Sequence, residues 1–449
     1  MATHLIILAA GAGTRMMSDR PKVLHEIAGA PMFVHSLVSA SELDGQRVII
    51  VGHGGEDVAR VAKEHDEDIL VAKQSEQLGT AHAVLSASEA LSDVKGDTVV
   101  LLGDTHFIRP ETLGKMQALR ADGADVVFLG FEPDDPARYG RMVTDGDKLL
   151  RIVEWKEASE EEREITLCNA GVVMAETETL LRLAAAIEVS ENTGEYYLTN
   201  LPEMANAEGL TVKVIVADET ETIGVNSRTE LADAEAVFQM LARKSALENG
   251  VTLQAPDTVH FSYDTVIGRD AVIEPNVVFG PGVTVESGAT IRAFSHLEGC
   301  HISTGAVVGP YARLRPGTEL ANDARVGNFV EVKNAEIGEG AKVNHLSYVG
   351  DASVGNRSNI GAGTVTCNYD GVSKHWTHIG QNAFIGSDTL LVAPVKVGDG
   401  AMTATGSVIT RDVPDGAMAV ARVKQDNKPN FATKFFARLR AAKAAKQKG

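Results

Sequence analysis

Two hydrophobic periods divide this chain. In the first half, apolar runs of strand length alternate with amphipathic stretches. The strand candidates are His4–Leu8, Arg47–Val51, Thr98–Leu102, Val126–Phe131 and Val212–Val216, with helical stretches such as Ala81–Leu91 and Thr112–Arg120 between them. That alternation predicts a mostly parallel α/β sheet with helices on both faces. Ligands in such sheets bind at the carboxyl ends of the strands. Arg228 to Leu247 then reads as one alanine-rich amphipathic helix.

After Asn249 the period changes. Aliphatic residues recur every six positions at Ile267, Ile273, Phe279, Val285, Ile291 and Leu297. A five-residue step resets the run to Ile302, Val308, Leu314, Leu320, Val326 and Val332. It continues through Ile337, Val343, Val349, Val354 and Ile360, and again through Ile379, Ile385, Leu391 and Val397. Glycine often follows, as in Ile267-Gly268 and Ile385-Gly386. A hexapeptide repeat of this kind is the mark of a parallel β-helix. Each short strand turns a corner, its aliphatic residue fills the narrow interior, and glycine tolerates the turn. Between Ile360 and Ile379 the repeat is broken by an insertion, Cys367 to Lys374, which predicts an outer loop over a binding face. The expected organisation is a nucleotide-type domain over 1–228, a linker helix over 229–249, a β-helix over 250–430 and a basic tail over 431–449.

Composition agrees with a thin solenoid: 43 glycines and only 5% aromatics among 449 residues. The net charge of -19, from 61 acidic and 42 basic residues, argues against a nucleic-acid binder, because phosphate contacts need a basic surface. A nucleotide site needs only a few local cations. The tail from Lys434 to Lys448 is basic and alanine-rich. Cys168, Cys300 and Cys367 are too few for a disulfide framework in so long a chain; Cys300 and Cys367 read as small buried hydrophobes. The longest early apolar run, Leu5 to Ala10, is too short for a signal-peptide core or a membrane span. No membrane insertion and a cytoplasmic location are expected.

The first strand runs into Leu8-Ala9-Ala10-Gly11-Ala12-Gly13-Thr14-Arg15-Met16. Paired glycines there let backbone N–H groups approach a phosphate. The segment is neither a P-loop nor a Rossmann fingerprint, since no Gly-Lys-Ser/Thr follows and Met16 replaces the third glycine. Arg15 and Lys22 add cations able to neutralise a leaving triphosphate. Asp104, at the end of the Thr98–Leu102 strand, suits one ligand of Mg²⁺, although a helix-capping Asp reads the same in isolation.

These residues resemble a family. The glycine-rich segment followed by Pro21-Lys22-Val23-Leu24 is similar to the sugar-phosphate nucleotidyltransferases. Gln74, Gln77-Leu78-Gly79-Thr80-Ala81, Gly103-Asp104, Tyr139-Gly140-Arg141, Glu154, Asn169-Ala170-Gly171 and Gly224-Val225-Asn226 follow in that family's order. Joined to a hexapeptide domain, the whole chain resembles the bifunctional N-acetylglucosamine-1-phosphate uridyltransferases / glucosamine-1-phosphate N-acetyltransferases. The resemblance implies that Leu8, Ala9, Ala10, Gly11 and Lys22 hold UTP, with Arg15 on its phosphates. Gln74, Gly79 and Thr80 would read the uracil. Gly140, Glu154 and Asn169 would hold N-acetylglucosamine-1-phosphate, and Asp104 and Asn226 would bind Mg²⁺. Leu102 departs from the tyrosine common before Gly-Asp.

In the β-helix, His345 stands among cations and hydrogen-bonding groups. The resemblance makes His345 the general base that frees the amine of glucosamine-1-phosphate for attack on acetyl-CoA. Arg315, Lys333, Tyr348, Asn359 and Lys374 would hold the sugar phosphate. The family's three hexapeptides per coil would stack Arg315 on Lys333. Ala362, Asn368, Tyr369, Ser387, Thr405 and Arg422 would line the acetyl-CoA site; Thr405 stands where the family often has alanine. The resemblance further implies a Rossmann-like α/β nucleotidyltransferase domain followed by a left-handed parallel β-helix. It also implies a homotrimer with CoA between neighbouring β-helices. The residues alone also admit a single-function nucleotidyltransferase whose β-helix only oligomerises, or a non-enzymatic exchange-factor subunit.

Overall fold

A computed structural model gives the structure of residues 2–447 apart from Ala12, His53, His106, Ala137 and Asn192. The chain forms two compact units. The first runs to Asn249 and adds Pro256–Thr265 and Phe279–Gly282; the second takes Gly250–Ala255, Val266–Val278 and the chain from Val283 onward.

The first unit is built on a nine-stranded sheet in the order Leu70–Lys73, Arg47–Val51, Thr3–Ala9, Asp97–Leu102, Cys168–Glu176, Val126–Phe131, Val212–Ala217, Lys148–Val153, Arg141–Asp145. Thr3–Ala9 runs parallel to both Arg47–Val51 and Asp97–Leu102. Leu5, Ile7 and Ala9 enter the core on one face and Ile6 that on the other, as a period of two requires. The sheet is mixed rather than mostly parallel. Cys168–Glu176 enters antiparallel between two expected strands, and an antiparallel hairpin of Arg141–Asp145 with Lys148–Val153 extends one edge. The stretch expected as a helix from Ala81 to Leu91 is helical only over Thr80–Leu85. The hydroxyls of Ser86 and Ser88 donate back to the carbonyls of His82 and Leu85, a local competitor of the helical ladder.

Helix Arg228–Glu248 opens on a capping box of Ser227 and Glu230, which satisfies two of its first amide groups. Gln239 exchanges two hydrogen bonds with the Phe261 backbone, at 2.7 and 2.9 Å, so this helix is tied into the first unit.

The second unit is the parallel β-helix. Ile273, Ile291, Val308, Val326, Val343, Ile360 and Ile385 pair in unbroken parallel register. None of these side chains is more than 3% exposed. Burying each is worth about 1.5–3 kcal/mol, so about every third member of the six-residue period stacks into one stabilising interior column. Cys168, Cys300 and Cys367 are free thiols. Burial pushes the Cys300 thiol up to about 12, as befits a small hydrophobe; Cys367 is only half-buried, because it borders the inserted loop. Helix Phe431–Lys446 is exposed along its length, and Lys448 lies outside the described residues. Among the described residues no helix is long and apolar enough to cross a membrane.

Candidate active sites

The carboxyl ends of Thr3–Ala9 and Asp97–Leu102 border a two-part cleft in the first unit. One part, of about 360 Å³, is walled by Leu8, Ala10, Gly11, Lys22, Gln74 and Gly79. The other, of about 350 Å³, is walled by Gly140, Glu154, Asn169 and Asn226. Leu8, Thr80, Leu102 and Asp104 border both parts. Ala9 is not brought there: it is 6% exposed and packs in the core, because strand alternation turns it away from Leu8 and Ala10.

The glycine loop shapes the first part. Gly13 has φ +59, and a Cβ on it would lie 2.5 Å from Cβ of Lys22. Only glycine lets Lys22 approach so closely. A Cβ on Gly11 would meet nothing within 4 Å, so the backbone here borders open space.

Lys22 Nζ ion-pairs with Asp104 Oδ2 and donates to Asn226 Oδ1 at 3.1 Å. Arg15 donates to that same amide oxygen at 2.9 Å. Residues far apart in sequence thus meet in one charged cluster. A carboxylate and an amide oxygen converge on a single cation, and hard oxygen donors of this kind suit Mg²⁺. Among the described residues no group of three or more His, Cys, Asp or Glu gathers as metal ligands. A metal held here takes its other ligands from phosphate and water.

Several side chains hold the walls. Gln74 donates to Gly79 O at 3.0 Å, and Thr80 Oγ1 accepts from Leu198 N at 2.9 Å. Asn169 Oδ1 accepts from Gly171 N at 3.0 Å. Glu154 accepts from the Thr199 hydroxyl at 3.1 Å; burial pushes its carboxyl up, against the opposing effect of that hydrogen bond. The Leu102 side chain fills the space above Gly171, where a Cβ would lie 2.5 Å from Leu102 Cδ1. Gln77 donates to Ala10 O at 2.7 Å and so braces the glycine loop. Arg141 is 2% exposed and donates to the carbonyls of Pro136 and Tyr139 at 3.1 and 2.5 Å; its work is to hold the loop that carries Tyr139.

The second site lies on two adjacent corners of the β-helix. His345 ends strand Lys342–His345, and Tyr348 begins strand Tyr348–Val354. Continuing the register from Val343, Ile360, Ile385 and Thr403 by two residues stacks His345, Ala362, Ser387 and Thr405 on one corner. Backbone hydrogen bonds from Gly363 to His345, Asp388 to Ala362 and Gly406 to Ser387 join them. Arg422 ends this column, with Cδ 3.9 Å from the position of a Cβ on Gly406.

Arg315, Lys333 and Gly350 follow one another in register along the neighbouring face. Lys374, from the inserted loop, lies beside Lys333 and its positive charge holds that ammonium below the usual lysine range, with burial and the Arg315 charge acting in the same direction and Asp351 opposing. Arg315 is paired with Glu331 at 2.9 Å. The missing side chain of Gly350 leaves the space that the Tyr348 hydroxyl fills, so Tyr348 spans from the His345 corner toward the lysines.

Three expected residues fall elsewhere. Asn359 sits in register with Lys342 and Phe384, at the far end of its strand from the His345 corner. Asn368 donates to Asp351 at 2.5 Å, beside the lysines rather than in the Ala362–Thr405 column. Tyr369 is 61% exposed and donates to Gly371 O at 2.6 Å. Sequence reasoning missed Asn328, whose side-chain oxygen lies 3.1 Å from His345 Nδ1, and Asp351. The only signal for either is the coil-to-coil step of 17 residues.

Comparison with known proteins agrees with both halves. Residues 5–191 match the MobA-like NTP transferase domain family. Residues 264–299 match the bacterial transferase hexapeptide family, and residues 377–411 the hexapeptide repeat of succinyl-transferase. A protein of Ruegeria pomeroyi named bifunctional protein GlmU is 64% identical over 449 residues, covering 100% of both chains. Its namesake from Jannaschia sp. is 62% identical over 445 residues, 99% of this chain and 98% of the relative. That of Paracoccus denitrificans is 57% identical over 440 residues, 98% of each. Identity at this level over the full length shows that the chain belongs to the GlmU family of bifunctional proteins.

Proposed function

We propose that the chain acetylates glucosamine-1-phosphate with acetyl-CoA and then transfers UMP from UTP to the resulting N-acetylglucosamine-1-phosphate, giving UDP-N-acetylglucosamine and pyrophosphate. The observation that carries two activities rather than one is the arrangement around His345. The Asn328 oxygen can only accept, so it keeps the proton on Nδ1 and leaves Nε2 as the base. The lysines lie one short strand away. Tyr348, which begins the strand after the His345 corner, and Gly350, the register partner of Lys333, lie roughly 7 Å apart along that strand, so a sugar phosphate with its amine at His345 would lay its phosphate along Tyr348 toward Arg315, Lys333 and Lys374. His345 Nε2 takes the amine proton, the amine attacks the thioester carbonyl, and the CoA thiolate leaves. The column Ala362, Ser387 and Thr405 rises by roughly 14 Å over three coils from His345, which suits an extended acyl carrier ending at Arg422.

At the first site the sugar phosphate oxygen attacks the α-phosphorus in line and pyrophosphate departs. Such transfer asks mainly for positioning and charge neutralisation. Gln74, Gly79 and Thr80 flank the base, Arg15 and Lys22 meet the phosphates, and Gly140, Glu154 and Asn169 hold the sugar. Asp104 and Asn226 would hold Mg²⁺, which supplies charge neutralisation at the phosphates. Their convergence on the Lys22 ammonium supports that assignment.

A homotrimer belongs to the same reading. Phe294 stacks on Tyr311 at 4.9 Å and Tyr311 on Phe329 at 5.3 Å. With Leu346 they form an apolar ladder, each member 48–62% exposed, that ends beside His345. Exposed apolar ladders of this size favour association. Thiol release from acetyl-CoA with glucosamine-1-phosphate, and pyrophosphate release from UTP with N-acetylglucosamine-1-phosphate and Mg²⁺, test the two activities on one sample. Pyrophosphate without thiol would leave a single-function nucleotidyltransferase with a non-catalytic β-helix.

A further inference from the structure

We propose that Asp351 is a positioning residue of the acetyl-transfer site, fastening the inserted loop to the β-helix and fixing Lys374 beside Lys333. The inference rests on the acetyl-transfer reading above. Asp351 is 5% exposed and has the left-handed backbone angle φ +47, which is uncommon for a residue other than glycine. Its two oxygens are both engaged. Oδ1 accepts from Asn334 Nδ2 at 2.6 Å and Oδ2 from Asn368 Nδ2 at 2.5 Å, each 17 residues away. Asn334, Asp351 and Asn368 therefore form an amide–carboxylate–amide ladder up one corner of three successive coils.

The upper rung is the root of the loop. Asn368 is 8% exposed, and its carbonyl accepts from His375 N at 2.7 Å where the loop closes. Above that root the loop is braced by itself: Asp370 accepts from the amides of Val372 and Ser373 at 2.8 and 2.7 Å and bonds His375 at 2.7 Å. Tyr369 bridges to Lys374. The loop is thus held together by its own hydrogen bonds, and Asp351 fastens it at its base through Asn368.

The charge has a second effect. Lys333 and Lys374 lie side by side and repel, and Arg315 adds to the positive field. The Asp351 carboxylate faces both lysines, which, with the two amides, hold it below the usual carboxylate range despite its burial. Arg315, Lys333 and Lys374 against the carboxylates of Asp351 and of Glu331, the ion-pair partner of Arg315, leave a pocket with one net positive charge for a phosphate dianion, while the Asp351 carboxylate keeps the two ammonium groups together. Being buried, Asp351 acts through the lysines.

Asp351→Asn retains the side-chain size, and both asparagine amides can turn to restore hydrogen bonds, so the variant removes mainly charge. The KM for glucosamine-1-phosphate should rise on the order of tenfold, while kcat at saturating sugar phosphate changes far less. Asn334→Ala cuts one tie and keeps the carboxylate; its KM should rise in the same direction, by less. Uridylyl transfer serves as the folding control in both. An unchanged glucosamine-1-phosphate KM in a folded Asp351→Asn, or a kcat loss at constant KM, overturns the proposal. If Asp351→Asn does not fold, an unchanged KM in Asn334→Ala overturns it. Failure of the wild-type protein to release thiol from acetyl-CoA would instead overturn the acetyl-transfer reading itself.

Discussion

His345 Nδ1 lies 3.1 Å from the side-chain oxygen of Asn328, its register partner in the preceding coil. That contact fixes both ring orientation and tautomer. A hydrogen bond worth about 1 kcal/mol predicts roughly a fivefold lower acetyl-transfer kcat in Asn328→Ala, with the acetyl-CoA KM unchanged. Steady-state kinetics on the folded variant checks it. An unaltered kcat would show that the ring needs no such partner.

At Glu154 the proposed sugar contact is set against stability. Its carboxyl is raised by burial, so the unfolded chain carries the charge more readily than the folded one. The stability this group allows is full below the ordinary glutamate range and is lost as pH rises through the raised value. At neutral pH Glu154→Gln should therefore melt higher, by up to about 3 °C, and the gain should disappear near pH 4. The KM for N-acetylglucosamine-1-phosphate should rise at the same time. A lower melting temperature at neutral pH contradicts the sign.

Gly171 is a sharper structural test. It has φ +76, and a Cβ would strike Leu102. Gly171→Ala should lower uridylyl transfer by about tenfold or more through strain and displacement of Leu102, since left-handed strain alone costs about 1–3 kcal/mol. Adding Leu102→Ala should recover part of that loss. No recovery would mean that backbone strain, rather than the clash, dominates.

The alkaline limb of acetyl transfer reports the lysine pair. Lys374, Asp351 and Arg315 are the charged groups that face Lys333, and Lys374 dominates in lowering it. Affinity for glucosamine-1-phosphate should decline with rising pH earlier than an ordinary lysine at about 10.4 would give. Lys374→Ala should weaken affinity overall yet move that decline to higher pH, because the repelling neighbour is gone. Titration calorimetry across pH separates the two effects; a shift to lower pH contradicts the pairing.

Much of this was legible in the sequence for physical reasons. The six-residue recurrence from Ile273 to Ile385 lines the interior, so the β-helix followed directly from the pattern, whereas the stacking of three hexapeptides per coil was implied by the family resemblance. The Gly13 turn and the cations Arg15 and Lys22 were also visible, because glycine spacing and charge are local. The antiparallel strand Cys168–Glu176 was not, since its pairing is decided by partners remote in the chain. Asn328 and Asp351 escaped for a related reason. Their hydrogen bonds run along the axis of the coils, between polar residues 17 positions apart, and a hydrophobic period carries no trace of them. Ala9 shows the opposite limit: it lies inside a readable motif, yet strand alternation buries it.

The central claim is two separate active sites on one chain, and complementation tests it most directly. Asp104→Ala should lose uridylyl transfer and keep acetyl transfer, and His345→Ala should lose acetyl transfer by about 10²–10⁴-fold and keep uridylyl transfer. Supplied with glucosamine-1-phosphate, acetyl-CoA, UTP and Mg²⁺, each variant alone should form little or no UDP-N-acetylglucosamine, and the two mixed should form it readily. A mixture that stays inactive although both variants are folded, or full product from His345→Ala alone, would contradict the account.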